Sequence, residues 1–120
     1  MRRLALALAL LSGLPLAAAA QEAADGTGAE LRVLDKTTGI VTDVSIPRGG
    51  TAEAGLLTIA LAECRYPPGD PASDGWALLE IRYRDRPEPL FRGWMIASAP
   101  ALNAMEHPRY DVWVRRCSTS

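Results

Sequence analysis

The residue types best suited to chemistry gather in one stretch of this 120-residue chain, Glu106-His107-Pro108-Arg109-Tyr110-Asp111. His107 is the single histidine. In a hydrolase it would act as general base, with Asp111 to orient it and Ser98 as nucleophile. No G-x-S-x-G or equivalent elbow surrounds Ser98, and linear spacing alone does not bring the three together. In the plainer reading Ser98 caps a helix, while Glu106 and His107 close it with polar contacts before Pro108 stops it. A metal site at Glu106, His107 and Asp111 would combine one imidazole with carboxylates in no repeated ligand pattern, so no metal is assigned. No motif implies a cofactor.

A second kind of chemistry is recognition by bulky side chains. Phe91-Arg92-Gly93-Trp94-Met95-Ile96-Ala97-Ser98 is dense in them. Read as a strand, it puts Phe91, Gly93, Met95 and Ala97 on one face and Leu90, Arg92, Trp94 and Ile96 on the other. Both faces carry large apolar groups, so this strand is either central and covered twice or presents one face to a partner. Gly93 leaves room for a backbone or a ring to approach. With the later cluster it defines a candidate binding surface of Phe91, Trp94, Met95, His107, Tyr110 and Trp113. Trp76, Trp94 and Trp113 would make a stacking platform for a sugar or peptide if exposed together, and belong to the core or its edge otherwise. Arg82, Arg84 and Arg86 form a basic stripe, but Glu80, Asp85 and Glu88 interrupt it, which is the pattern of a solvated face.

The beginning of the chain says where these residues work. Met1-Arg2-Arg3 is a positive start, and Leu4 to Leu11 is an apolar run of leucine and alanine. Pro15 and Ala17-Ala18-Ala19-Ala20 follow, with Ala18 and Ala20 meeting the small-residue requirement of signal peptidase. Residues 1–20 therefore read as a signal peptide cleaved before Gln21, which sends the chain to the periplasm by the general secretion route. Eight apolar residues make about 12 Å of helix against a hydrocarbon core of about 30 Å, too little for a membrane span. No transmembrane segment is expected in the mature chain.

Loss of Arg2 and Arg3 shifts the formal net charge from −1 to −3. A mildly acidic domain without a basic block is not built for nucleic acid. One hundred residues form one domain, which excludes a multidomain enzyme, a nucleotide-binding α/β domain and a solenoid. Two cysteines remain, Cys64 and Cys117, in no C-x-x-C spacing. In an oxidising compartment an even pair reads as one disulfide, free thiols or a metal pair being the alternatives.

The elements that must position these residues are short strands. Gln21 to Glu30 is small, polar and glycine-containing and reads as a flexible leader. Leu31–Lys36 and Ile40–Ile46 flank Thr37-Thr38-Gly39, a hairpin signal with glycine at the left-handed position. Leu56–Cys64 is a nearly continuous apolar run, a buried strand by its length and flanking glycines, although Ala60 and Ala62 keep a helix open. Tyr66 to Gly75 is an exposed loop with three prolines. Trp76–Arg84 alternates, with Ala77, Leu79, Ile81 and Tyr83 facing one way. Leu90–Ala97 and Tyr110–Cys117 complete six strands, with one short helical segment over residues 99–106. The fold class is all-β, a small sandwich or barrel, with the domain at residues 31–117 and a tail at 118–120.

Three stretches carry a resemblance. They are Leu34-Asp35-Lys36-x-Thr38-Gly39, then Cys64 followed by Pro67-Pro68, and finally Phe91-x-Gly93-Trp94-Met95-x-Ala97-Ser98-x-Pro100-Ala101-Leu102 running on to Glu106-His107-Pro108-x-Tyr110-Asp111-Val112-Trp113 and Cys117. In these the chain resembles a family of small exported alphaproteobacterial proteins of unknown function, over nearly the whole mature domain. Ile96 and Ala99 stand where that pattern leads one to expect a Phe and a Ser. The resemblance implies export, a single domain and a Cys64–Cys117 bridge, and it brings no activity and no catalytic residue. The expected function is a non-catalytic periplasmic binding or accessory module that contacts an envelope protein or complex. The alternatives are a small envelope hydrolase using His107 with nearby carboxylates, and a glycan-binding module using exposed tryptophans.

Overall fold

The computed structural model describes residues 22–120. The expected signal peptide, residues 1–20, and the cut before Gln21 lie outside the described residues. Eight strands follow in order: β1 Ala24–Asp25, β2 Gly28–Asp35, β3 Val41–Pro47, β4 Thr51–Ala54, β5 Leu57–Tyr66, β6 Trp76–Tyr83, β7 Phe91–Ile96 and β8 Tyr110–Ser118. All pairings are antiparallel. One sheet runs β1-β5-β6-β7, with β4 also paired to β5, and the other runs β3-β2-β8.

Alternation dictates how the two sheets meet. Leu57, Ile59 and Leu61 of β5, Ala77, Leu79 and Ile81 of β6, and Phe91 and Met95 of β7 point inward from the larger sheet. Ala29, Leu31 and Val33 of β2, Ile46 of β3, and Val112 and Val114 of β8 point inward from the smaller one. These side chains form one continuous core, so the fold is a two-sheet sandwich. Each fully buried Leu or Ile stabilises it by roughly 1.5–3 kcal/mol.

Two links tie sheet to sheet. Cys64 of β5 and Cys117 of β8 are disulfide-bonded, with Cα atoms 5.6 Å apart. At the opposite end of β8, the buried Tyr110 reaches across the core, and its hydroxyl accepts the Leu56 backbone N–H at 3.1 Å. That clamp holds the β4–β5 turn. A β-carbon at Gly55, whose φ is +56°, would lie 2.6 Å from the same hydroxyl, so this turn requires glycine for both space and conformation.

The structure departs from the sequence expectation in three places. Residues 24–25 and 28–30, expected in a flexible leader, are strand: β1 pairs with the end of β5, and Gly28–Glu30 opens β2. The small residues there are small because of close packing. Gly26 donates its N–H to the Cys64 carbonyl at 2.7 Å, and a β-carbon at Gly28 would collide with the Ile46 carbonyl oxygen. Strand β4 follows the Gly49–Gly50 turn, where no strand was expected. The helical segment of residues 99–106 shrinks to a single 3₁₀ turn, Pro100–Leu102. Ser98 does not cap it: Ala99 holds that position without a side-chain bond.

Candidate functional site

The residues of the supposed catalytic triad are engaged elsewhere. The Ser98 hydroxyl donates to Asp74 Oδ2 at 2.8 Å, and Asp74 Oδ1 accepts the N–H groups of Ser98 and Gly75. Asp74 thus pins the end of β7 to the start of β6. His107 Nδ1 accepts two backbone N–H groups, from Arg109 at 3.1 Å and Tyr110 at 3.3 Å. In neutral imidazole a ring nitrogen that accepts leaves the proton on the other one, so Nε2 carries hydrogen and offers no lone pair to a metal or a substrate proton. The ring forms a triangular cluster with Tyr83 and Tyr110, tilted against the first at 5.2 Å and stacked on the second at 5.9 Å between centroids, the two tyrosines themselves lying 6.3 Å apart. Asp111 faces Lys36, 3.5 Å from Nζ, while Lys36 Nζ donates to the His107 carbonyl at 2.8 Å. His107, Asp111 and Lys36 together fix the loop that enters β8. No group of three His, Cys, Asp or Glu among the described residues is arranged to hold a metal ion.

Beside them lies the least exposed ion pair among the described residues. Arg109 makes a forked contact to Asp35, with Nη2 at 2.9 Å from Oδ2, and Asp35 Oδ1 also accepts the N–H of Thr37. The Arg109 guanidinium first, and then these turn amides, hold the Asp35 carboxyl down at about 2 despite partial desolvation. Gly39 completes the turn in the left-handed region, at φ +76°. The constellation locks the β2–β3 hairpin to the entry of β8.

The candidate binding surface does not assemble as one surface. Phe91, Met95 and Tyr110 are buried at 9%, 3% and 1% exposure and belong to the core. A strand's alternation sends Trp94 and Trp113 to the outer faces of different sheets: Trp113 stands opposite Arg32 on β2, on the far side of the sandwich from Trp94. His107 lies at the β7–β8 connection. The three tryptophans therefore form no common platform.

What the fold does assemble is the outer face of β6 and β7. Register places Trp76 opposite Ile96, Leu78 opposite Trp94, and Glu80 opposite Arg92. Trp94 is 38% exposed and the other three apolar residues are half-buried. This strand is neither central nor doubly covered, for β7 is the sheet's last strand. Its open edge is shielded by the chain that follows, where Asn103 Nδ2 donates to the Trp94 carbonyl at 2.8 Å. Shielding the edge discourages strand addition and leaves the face itself as the accessible feature.

Continuous with that face is a shallow groove of about 430 Å³. The Gly49-Gly50-Thr51 turn closes one end, Ala60, Ala62 and Leu78 line the middle, and Glu80 with Arg92 stands at the other end. Glu80 is shared by two arginines, Arg92 Nε at 3.2 Å from one oxygen and Arg82 on the other. Arg92 and then Arg82 hold its carboxyl below the ordinary range. Sequence reading had Leu78 and Trp94 each on its face but missed that both faces coincide, because strand pairing and register are not written in either strand alone. The small residues Ala60 and Ala62, read as helix-compatible, are the floor of this groove.

The fold and site define a disulfide-linked β-sandwich with an apolar outer face on β6 and β7 that no strand covers among the described residues. The chain belongs to the family described as "uncharacterized protein conserved in bacteria (DUF2155)", whose model matches residues 29–117. It is also similar to a Rickettsia prowazekii (strain Madrid E) protein called "uncharacterized protein RP359", 27% identical over 94 residues. That match covers 76% of this chain and 61% of the relative, so the chain spans about three-fifths of its length. No solved structure matches the chain. No helix among the described residues is long and apolar enough to cross a membrane.

Proposed function

We propose that the chain is an exported periplasmic module that binds an envelope protein through the outer face of β6 and β7, without catalysis of its own. The observation that carries this reading is Trp94, 38% exposed at the centre of a face it shares with Leu78, Trp76 and Ile96. A large aromatic amid apolar neighbours is the usual anchor of a protein interface. Export is supported by the Arg2-Arg3 start, the Leu4–Leu11 run and the Ala18-x-Ala20 site, with general secretion and cleavage before Gln21. The disulfide agrees with an oxidising compartment. The stretches around Lys36, Trp94 and His107 named above are, in this reading, the signature of the exported family: they supply the hairpin lock, the outer face and the loop that fixes β8.

Affinity capture of a tagged chain from gently solubilised envelopes, with mild crosslinking, tests it. One stoichiometric protein is expected, lost with Trp94→Ala and kept with Trp113→Ala on the opposite sheet. Equal capture by both variants overturns the assignment of the face. A second reading, a glycan stacked on the sheet, draws on Trp76 and Trp94 sharing that face. Binding of soluble glycan fragments that depends on Trp76 and Trp94, with no protein captured, would favour it.

A further inference from the structure

The proposed face has a chemical polarity that specifies its occupant. Arg92 is the most exposed member of its cluster, at 64% for the side chain. Only its Nε is used, on Glu80, and the guanidinium makes no other side-chain hydrogen bond among the described residues. Arg82, by contrast, is committed at both Nη atoms, to Glu80 and to the Pro87 carbonyl. One carboxylate between two guanidiniums leaves a net positive charge at this end of the groove. The rest of the groove is apolar and small, with Ala60, Ala62 and Leu78 between Arg92 and the Gly49–Gly50 turn. On the neighbouring rung Arg65 faces both Glu63 at 3.3 Å and Asp25 at 3.6 Å, so the positive charge is local to the Arg92 end while the wider patch is balanced.

Resting on the binding reading above, we propose that this groove receives an extended segment of the partner protein, with an apolar side chain over Ala60 and Ala62 and an Asp or Glu on Arg92. A planar guanidinium with a free fork favours a carboxylate, which it grips with two parallel hydrogen bonds. Ala60 lies on β5 and Arg92 on β7, two inter-strand spacings apart, about 10 Å. An extended chain of polyproline II type, with about three residues per turn and a rise of about 3.1 Å, puts an acid and an apolar residue three positions apart on one side at that distance. A lipid surface fits less well. Around the patch Arg65, Arg82 and Arg92 are matched by Asp25, Glu63 and Glu80, and a face that docks on anionic lipid needs a basic excess.

A displayed library of random linear decapeptides, selected on the full mature chain, provides the test. Enriched peptides are expected to carry an acid about three residues from an apolar side chain. Arg92→Glu should weaken them at least about tenfold, as loss of a charge-assisted pair does, and peptides with the acid changed to Lys should regain binding to that variant. Ala62→Trp, which fills the groove, should abolish binding, while Trp113→Ala should leave it unchanged. Peptides that bind the groove but are indifferent to Arg92→Glu overturn the acidic occupant and leave the binding face standing. Absence of any groove-dependent peptide, with binding instead to phosphatidylglycerol vesicles, overturns both.

Discussion

Leu78 and Trp94 stand directly opposite each other across β6 and β7, both on the side of the sheet that no other strand among the described residues covers. Their strand neighbours Leu79 and Met95 point the other way into the core. The same two strands therefore build the sandwich with one face and offer an apolar surface with the other. This division sets what mutation should do.

Trp94→Ala should cost about 1 kcal/mol of folding stability, the scale of a cross-strand pair at the surface. Phe91→Ala, three positions away and in the core, should cost about 3–5 kcal/mol. Urea titrations of the two variants check the contrast. Equal losses would mean that Trp94 is a structural residue.

Tyr110→Phe keeps the ring and removes the acceptor of the Leu56 N–H. An orphaned, part-buried amide costs about 1–3 kcal/mol. Amide hydrogen exchange should accelerate at Leu56 beyond its change at core positions of β2. Unchanged protection would show that the clamp on the β4–β5 turn contributes nothing.

The Cys64–Cys117 bridge joins the two sheets and closes a loop of 53 positions. The chain-entropy account gives about 4 kcal/mol for such a loop, a large part of the roughly 5–15 kcal/mol that holds a small domain. Denaturant midpoints with and without dithiothreitol should differ accordingly, and a Cys64→Ala, Cys117→Ala double variant should match the reduced form.

Asp35 gives a pH dependence of known sign. Its folded carboxyl titrates at about 2, against about 3.9 for a free Asp in the unfolded chain. A lowered folded value means that the contribution is fully present above about pH 4 and is lost as pH falls from about 4 towards 2. The stability difference between the wild type and Asp35→Asn should therefore be constant at neutral pH and shrink across that acid window. A difference that grows on acidification would contradict the Arg109 pairing.

Much of the fold was legible in the sequence, because period-2 alternation marks which residues of a strand face inward. Ala77, Leu79 and Ile81 were placed together on one face by that rule, and they are buried together. The leader failed the same reading for a physical reason: Gly26 and Gly28 are small to admit neighbouring backbone, and composition does not separate that from flexibility. Strand β4 has four residues, too few to show a period. The site was half legible. Trp94 is picked out by its type and position, whereas Phe91 and Met95 of the same dense stretch, and Tyr110 of the later cluster, point inward. His107 attracted attention as a lone imidazole, but its Nδ1 serves two backbone amides, a role that only the turned chain before β8 reveals. The groove depends on Ala60, Leu78 and Arg92 meeting from three strands, and register is a tertiary property.

The most direct test of the binding face is a photocrosslinking scan in living cells, with benzoylphenylalanine placed in turn at Trp94, at the half-buried Trp113 on the opposite sheet and at the exposed Leu102. The account predicts a single, abundant adduct to one envelope protein from position 94, and no comparable adduct from 113 or 102. Adducts from position 113 with none from 94 would place the interface on the other sheet and contradict it.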